Sequence, residues 1–205
     1  MKKVVAILGS MVLSSVALAE GSTITGINLS GSGCSVNDTR WVITEDFKTV
    51  SLFFDNYFAE TTPEARVGRA SCNLGIALKL PPGITVQVDT IDFRGAAYPA
   101  VSIDAMGNEV VTGSATLSRE YFFAGMRGAR DKTTWNKDTA FTVRDTVLSA
   151  AIAPCGGETI LRVNTSLEAK RGVKDPTGQT WVGLDTIDVN RTYDQQINLS
   201  FIPCH

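Results

Sequence analysis

The sequence predicts an all-β protein, a single-domain antiparallel β-sandwich with two disulfides. Apolar residues recur with a period of two, and short strand-like runs alternate with turns rich in Gly, Pro, Asn and Asp. No segment has a convincing amphipathic-helix pattern, because the best candidate, residues 143–153, is rich in β-branched residues and runs into Pro154. These three observations predict the fold class but leave a jelly-roll and an immunoglobulin-like topology both open.

The chain begins with a predicted signal peptide over residues 1–19. Two lysines precede an apolar stretch, and small residues at Ala17 and Ala19 fit cleavage after Ala19. The apolar stretch is shorter than the roughly 20 residues that span a bilayer, so we expect export without a membrane anchor. The mature domain would cover residues 20–205 and would be secreted or periplasmic, and the short leader favours a bacterial origin.

The overall charge argues against two classes of partner. The sequence holds 19 basic and 21 acidic residues, for a net charge of −2, and cleavage of the leader would remove two of the lysines. A mildly acidic chain lacks the overall charge that attracts nucleic acid or anionic membranes. We therefore expect an extracellular protein or a glycan as the partner.

Four cysteines lie in the predicted mature part: Cys34, Cys72, Cys155 and Cys204. An even number in an exported chain predicts two disulfides, and three pairings are possible. We favour Cys34–Cys72 with Cys155–Cys204, because each pair would join neighbouring strands. Zinc is disfavoured because paired C-x2-C motifs are missing and the one histidine, His205, ends the chain. We expect no metal and no other cofactor.

Period-two alternation marks the predicted strands. In the run 72–80, alternate residues are apolar, the turn PPG follows at 81–83, and a second alternating run begins at Ile84. This pattern predicts an antiparallel hairpin over 72–94. Further strands are predicted within 49–55, 109–123, 159–167, 180–189 and 193–202.

The run from Ile84 to Phe93 changes phase in its middle. Apolar side chains up to Val88 belong to one phase, and those from Ile91 onward belong to the other. The slip at Asp89–Thr90 predicts a β-bulge or a strand that changes sheets.

A structural charge cluster is predicted around the same run. We expect Arg94 to pair with Asp55 or Asp92 and to hold the fold together rather than to catalyse a reaction. The phase slip leaves open whether Asp89 and Asp92 share a face of the strand.

The longest polar connection, residues 123–141, is predicted to be a mobile surface loop. It contains Arg127, Arg130, Lys132 and Trp135, with Trp135 expected to face solvent. Loops on a rigid scaffold commonly carry binding residues, so these four are the candidate binding loop.

The residue types argue against most catalytic mechanisms. A nucleophile paired with a histidine base is disfavoured because the one histidine ends the chain, and no Walker A, G-x-G-x-x-G or H-E-x-x-H motif occurs. A glycosidase needs only two positioned carboxylates. The candidates for such a pair are Asp55, Asp89, Asp92, Glu120, Asp185 and Asp188.

An ordered set of motifs resembles a family of small secreted bacterial and fungal proteins known as domain of unknown function 4360. The motifs are VSLFFDNYFA at 50–59, SCNLGIALKLPPG at 71–83, TIDFRG at 90–95, ATLSREYFFAG at 115–125 and APCGG at 153–157. The resemblance implies a secreted single-domain β protein with two disulfides, and it brings no catalytic residues. The four cysteines, Asp55, Arg94 and Gly95 carry over. The chain departs at Ser35, where the family has proline, and in a longer polar insert after Gly125.

These observations favour a secreted, non-enzymatic binding or interaction protein. The missing catalytic motifs and the disulfide-stapled sandwich support this interpretation. Two alternatives are a carboxylate-dependent polysaccharide hydrolase and an inhibitor of an extracellular protease that presents a rigid loop.

Overall fold

The computed structural model describes residues 21–147, 152–173, 175, 177–184 and 193–204. The predicted signal peptide, Asp185, Asp188 and His205 lie outside these ranges. The described residues form strands and contain no helix long and apolar enough to cross a bilayer. The strands are β1 (Thr23–Ser30), β2 (Thr39–Ile43), β3 (Thr49–Phe54), β4 (Phe58–Glu60), β5 (Val67–Leu80), β6 (Ile84–Tyr98), β7 (Val101–Ile103), β8 (Glu109–Val111), β9 (Ser114–Phe123), β10 (Ala129–Trp135), β11 (Thr139–Thr146), β12 (Gly157–Lys170), β13 (Trp181–Gly183) and β14 (Gln195–Pro203).

Two antiparallel sheets form a sandwich, which confirms the predicted fold class. The five-stranded sheet has the order β1-β5-β12-β9-β10. The seven-stranded sheet has the order β2-β3-β14-β6-β13-β4, and β11 also pairs with β6. Because β11 pairs along residues 90–97 of β6, β13 and β14 must follow one another along the opposite edge of that strand. Strands β7 and β8 form a separate hairpin.

The core lies between the inner faces of the two sheets. Alternate residues of the long strands point inward, and many are completely buried. Each fully buried aliphatic or aromatic side chain contributes roughly 1.5–3 kcal/mol relative to its exposed state. The largest are Tyr57, Tyr121, Phe93, Phe123, Leu52, Leu74, Ile76, Leu78, Ile91, Leu117, Leu161 and Leu167.

The hairpin predicted over 72–94 is wrong. Strand β5 pairs with β1 and β12, whereas β6 pairs with strands of the other sheet. The turn at 81–83 therefore carries the chain from one sheet to the other, and Gly83 adopts a φ of 80° there. Alternation identifies which face of a strand is buried but does not identify its neighbour in the sheet.

The predicted β-bulge in β6 is confirmed. Asn198 of β14 lies opposite Thr90, and the next residue, Leu199, lies opposite Val88. Asp89 is the extra residue between them. The apolar residues on both sides of it therefore point into the core although their sequence phases differ.

Both predicted disulfides form. Cys34 follows β1 and is bonded to Cys72 in β5, which ties down the connection after the edge strand of the five-stranded sheet. Cys155 precedes β12 and is bonded to Cys204 after β14, which links the two sheets at one end of the sandwich. With sequence separations of 38 and 49, each contributes about 4 kcal/mol in the chain-entropy account.

The surface loop predicted over 123–141 is wrong. Ala129–Trp135 forms β10, the edge strand that pairs along β9, and β11 begins at Thr139. A polar sequence suits an edge strand because one side of it faces solvent and charged residues there discourage pairing with other chains. Trp135 is partly buried, and its ring centroid lies 4.1 Å from that of Phe141.

The bulge yields a test by deletion. Deleting Asp89 leaves both apolar phases of β6 inward. It removes the hydrogen bonds of its side chain and the one that the Val147 N–H donates to its carbonyl, at about 1 kcal/mol each. Deleting Gln87 instead turns Val88 outward and Asp89 inward, so we expect the free energy of unfolding to fall by about 3 kcal/mol or more.

Urea unfolding followed by tryptophan fluorescence measures both variants. Equal destabilisation by the two deletions would show that Asp89 does not set the phase.

Candidate functional site

Asp92, predicted to belong to a charge cluster, is bound by an arginine that the sequence did not single out. It lies on the outer face of β6, directly opposite Arg144 of β11. Arg144 donates to its carboxylate through Nε at 2.6 Å and Nη2 at 3.0 Å. The Asp92 side chain is fully buried beneath this guanidinium, and the hydrogen bond and charge of Asp92 raise the pKa of Arg144.

The other two members of the predicted cluster have different neighbours. Asp55 lies 3.3 Å from Arg40 at the exposed surface. The Arg94 guanidinium carbon lies 4.3 Å from the centre of the Tyr193 ring, a cation–π arrangement. Among the described residues, the ion pairs of Asp55 and Asp92 are made with Arg40 and Arg144.

The two remaining candidate carboxylates within the described ranges are engaged by neighbouring side chains. The bulge turns Asp89 outward, where it accepts hydrogen bonds from Gln87 Nε2 at 3.1 Å and from the Ser200 hydroxyl. Glu120 accepts a hydrogen bond from Arg130 Nε at 2.6 Å. The described part of the chain holds no group of three or more His, Cys, Asp or Glu residues that could bind a metal ion.

An ion pair that sequence reasoning missed lies between the two sheets. Arg119 of β9 points inward, is 3% exposed, and donates to Asp145 of β11 through Nε at 2.6 Å and Nη2 at 3.3 Å. The Tyr121 hydroxyl donates to the same carboxylate. Burial of the hydroxyl is the main reason that the pKa of Tyr121 lies above its usual range, and the interaction with Asp145 raises it further. Arg119 occupies the apolar phase of β9, which is the signal in the sequence that could have identified it.

The remaining donors of this arginine are also satisfied. Its Nη1 donates to the Leu117 carbonyl at 3.2 Å and to the Thr133 hydroxyl at 3.0 Å. Its Nη2 lies 3.4 Å from Asp131 on the edge strand. The arrangement thus joins β9, β10 and β11, and its complete pairing indicates a structural role.

Three aromatic side chains form a row on the outer face of the seven-stranded sheet. This aromatic strip consists of Phe58 on β4, Trp181 on β13 and Tyr98 on β6. The Trp181 ring centroid lies 6.1 Å from that of Phe58 and 5.7 Å from that of Tyr98, with interplanar angles of 21° and 38°. Phe58 and Tyr98 are 37% and 50% exposed. The strip is therefore a contiguous apolar surface in contact with solvent.

The backbone beneath the strip explains how the tryptophan ring is held against the sheet. A Cβ atom at Gly183 would lie 2.4 Å from the Trp181 ring, so a glycine is required there. Cross-strand register places Gly183 beside Ala96, and Ala96 beside Ala140. A row of small side chains therefore runs next to the rings. Glu60, directly opposite Trp181, places an exposed carboxylate at the end of the strip.

The outer face of the five-stranded sheet has a different character. A groove of about 520 Å³ crosses β9, β10 and β12 and is lined by Ser118, Arg119, Glu120, Arg130, Asp131, Lys132, Asn164 and Ser166. Arg127 and Arg130 line an adjoining cavity of about 530 Å³. The structure thus brings together three members of the predicted binding loop, Arg127, Arg130 and Lys132, whereas Trp135 packs against Phe141 instead.

Comparisons with known proteins agree with the family resemblance of the sequence motifs. The model of a family described as a domain of unknown function (DUF4360) matches residues 20–204. An "Uncharacterized secreted protein" from Arthroderma benhamiae is 27% identical over 151 residues, which cover 70% of this chain. The match spans 58% of that relative's own length. Because the relative is fungal, it does not support a bacterial origin.

Two solved structures are distantly similar to this chain. The carbohydrate-binding module TmCBM61 in complex with β-1,4-galactotriose is 9% identical, with 88% of this chain and 90% of that chain covered and a TM-score of 0.31. The enzymatically active domain of tailspike protein 4 from bacteriophage CBA120 is 11% identical, with 88% and 19% covered and a TM-score of 0.25. At these scores neither likeness carries an argument about ligand or activity.

The buried ion pair predicts non-additive mutational effects. Replacing Arg119 with methionine leaves the Asp145 carboxylate without its charge partner, so we expect the free energy of unfolding to fall by about 3–5 kcal/mol. In the double variant Arg119→Met/Asp145→Leu no charge is stranded, and we expect much of that loss to be recovered.

Chemical denaturation of the two single variants and the double variant forms a complete cycle. Additive losses would contradict a coupled pair.

Proposed function

Since this chain belongs to the DUF4360 family, whose name assigns no activity, its function must be inferred from its surfaces, and we propose an exported, non-enzymatic protein that binds an extracellular glycan through the aromatic strip. The single observation that carries the proposal is the row of partly exposed rings of Phe58, Trp181 and Tyr98 on adjacent strands.

The chemistry of the strip suits a sugar. A pyranose ring presents an apolar face of C–H groups and a rim of hydroxyls, so one face can pack on an aromatic ring while the rim remains hydrogen-bonded. Trp and Tyr combine a large apolar body with a polar group, which is why they are enriched in binding sites. The Tyr98 phenol and the exposed Glu60 carboxylate border the rings and can exchange hydrogen bonds with hydroxyls.

The position of the strip on strands also favours binding. Trp181 is held between two other rings and over a glycine, so it loses little conformational freedom when a ligand packs on it. A site that is ordered before binding keeps more of its contact energy as affinity.

Two observations support export and a role outside the cell. Residues 1–19 have the layout of a signal peptide, and disulfides persist mainly in oxidising compartments. The relative from Arthroderma benhamiae carries the description of a secreted protein, which agrees with this proposal.

The hydrogen bonds of the candidate carboxylates support a non-enzymatic role. Among those that the structure describes, Asp92, Asp89, Glu120 and Asp55 each accept from a neighbouring side chain. A general acid and a nucleophile in a glycosidase must instead face the substrate across the scissile bond.

Removing the central ring tests the binding surface. We expect Trp181→Ala to weaken binding to neutral wall polysaccharides about 30-fold, since truncating a buried aromatic anchor costs about 2 kcal/mol or more. Affinity electrophoresis of the mature protein through gels containing β-glucan, galactan or xylan measures the loss.

Trp41→Ala is the matched control, because Trp41 is 38% exposed and lies on β2, away from the strip. Tyr98→Ala supplies a second variant at a half-exposed position. Equal retention of Trp181→Ala, Tyr98→Ala and wild-type protein, with all of them folded, would refute the site.

Two assays test the alternative functions. A hydrolase would release reducing ends from the same polysaccharides, and the release would disappear in Asp92→Asn. An inhibitor would lower the rates of secreted serine or metalloproteases while remaining intact itself.

A further inference from the structure

The outer face of the five-stranded sheet has a charge opposite to that of the chain as a whole. Six strand residues and one residue of the β9–β10 connection place seven basic side chains there, against three acidic ones. The basic residues are Arg69, Lys79, Arg127, Arg130, Lys132, Arg162 and Lys170, and the acidic residues are Glu120, Glu158 and Glu168. The full chain has a net charge of −2, so the rest of the molecule is acidic.

This basic face is also lined with neutral hydrogen-bonding groups in regular rows. Cross-strand register aligns Lys132 of β10 with Ser118, Ser166 and Ser71 of the next three strands. The neighbouring row aligns Arg130 with Glu120, Asn164, Asn73 and Ser30. Each row crosses the sheet roughly at right angles to the strands and begins at a cation.

The groove lies over these rows. Its volume of about 520 Å³ is lined by serine, asparagine and charged side chains from three strands. Arg162 lines a further recess of about 220 Å³ next to β1 and β5. Glycine, alanine and isoleucine also line that recess, so the polar surface continues across the sheet along the two rows rather than through the recess.

We propose that this basic face binds an anionic polysaccharide, a sugar chain that carries carboxylate or sulfate groups. Arg69 and Arg130 are already ion-paired with Glu168 and Glu120. Charge complementarity selects the anion: the other cations, among them Lys132 and Arg162, would pair with its acidic groups, and the serine and asparagine side chains would hydrogen-bond the hydroxyls between them. The site is separate from the aromatic strip, because the two lie on the outer faces of opposite sheets.

Sugar polymers fit this face better than the other common polyanions do. Serine, asparagine and the Glu120 and Glu158 carboxylates stand between the cations, which suits a polymer with hydroxyls between its charges better than the continuous phosphates of a nucleic acid. A membrane surface would place apolar side chains against lipid, and this face is formed mainly by Ser, Asn, Lys and Arg.

The experiment compares a basic-face variant with a charge-matched control. Lys132→Gln/Arg162→Gln removes two cations from the basic face. Arg40→Gln/Lys48→Gln removes two cations at and beside β2 and β3 of the other sheet. Affinity electrophoresis and calorimetry of the mature protein use polygalacturonate, dextran sulfate and neutral dextran as probes, over a series of salt concentrations. Calorimetry with duplex DNA and with phosphatidylserine vesicles tests the other polyanions.

We expect the basic-face variant to bind at least one of the two anionic polymers about tenfold more weakly than wild type, with a shallower dependence on salt. The control variant should bind within about twofold of wild type, and retention by neutral dextran should be equal in wild type and both double variants. Polygalacturonate binding identifies carboxylate as the recognised group, and dextran sulfate binding identifies sulfate. Trp181→Ala should leave these affinities unchanged, whatever its effect on neutral polysaccharides.

Four outcomes would overturn the proposal: retention of neither anionic polymer, equal weakening by the two double variants, loss of anionic binding in Trp181→Ala, or equal or tighter binding of duplex DNA or phosphatidylserine vesicles.

Discussion

The inward phase of both halves of β6, which the bulge at Asp89 preserves, is the constraint on which the seven-stranded sheet depends. β6 pairs with β14, β13 and β11, and so it is the strand around which that sheet is assembled. If Asp89 were instead paired as an ordinary strand residue, one of the two apolar halves would face outward. The bulge also fixes which residues reach the outer surface. Beyond it, Asp92 meets Arg144 and Tyr98 joins the aromatic strip.

The Arg119–Asp145 pair adds a polar constraint to an otherwise apolar interior. Removing two charges from water costs several kcal/mol for each ion, and the pair recovers this only because every donor of the arginine is satisfied. Its geometry requires β9, β10 and β11 to adopt one relative position. We infer that the pair serves to select a single arrangement of the edge strands. Its contribution to stability is not the reason for it, because hydrophobic side chains of similar volume could stabilise the interior equally well.

The sequence predicted features that depend on local periodicity and failed where neighbours are distant. The alternation in β5, the phase slip at Asp89 and the parity of the cysteines are all visible within a few residues, and the structure confirms the predictions made from them. The partner of Asp92 could not be predicted because Arg144 is 52 residues away and its approach depends on cross-strand register. The aromatic strip was hidden for the same reason, since its three rings come from three separate parts of the chain.

The two proposed binding surfaces lie on opposite outer faces of the sandwich. The sheets of a sandwich lie about 10 Å apart, so the aromatic strip and the basic face point in opposite directions on a thin, rigid plate. One straight polymer chain cannot lie on both faces at once. With both sites occupied, each molecule would therefore cross-link a neutral and an acidic polysaccharide chain. Many weak cross-links along two polymers would hold them together far more firmly than one.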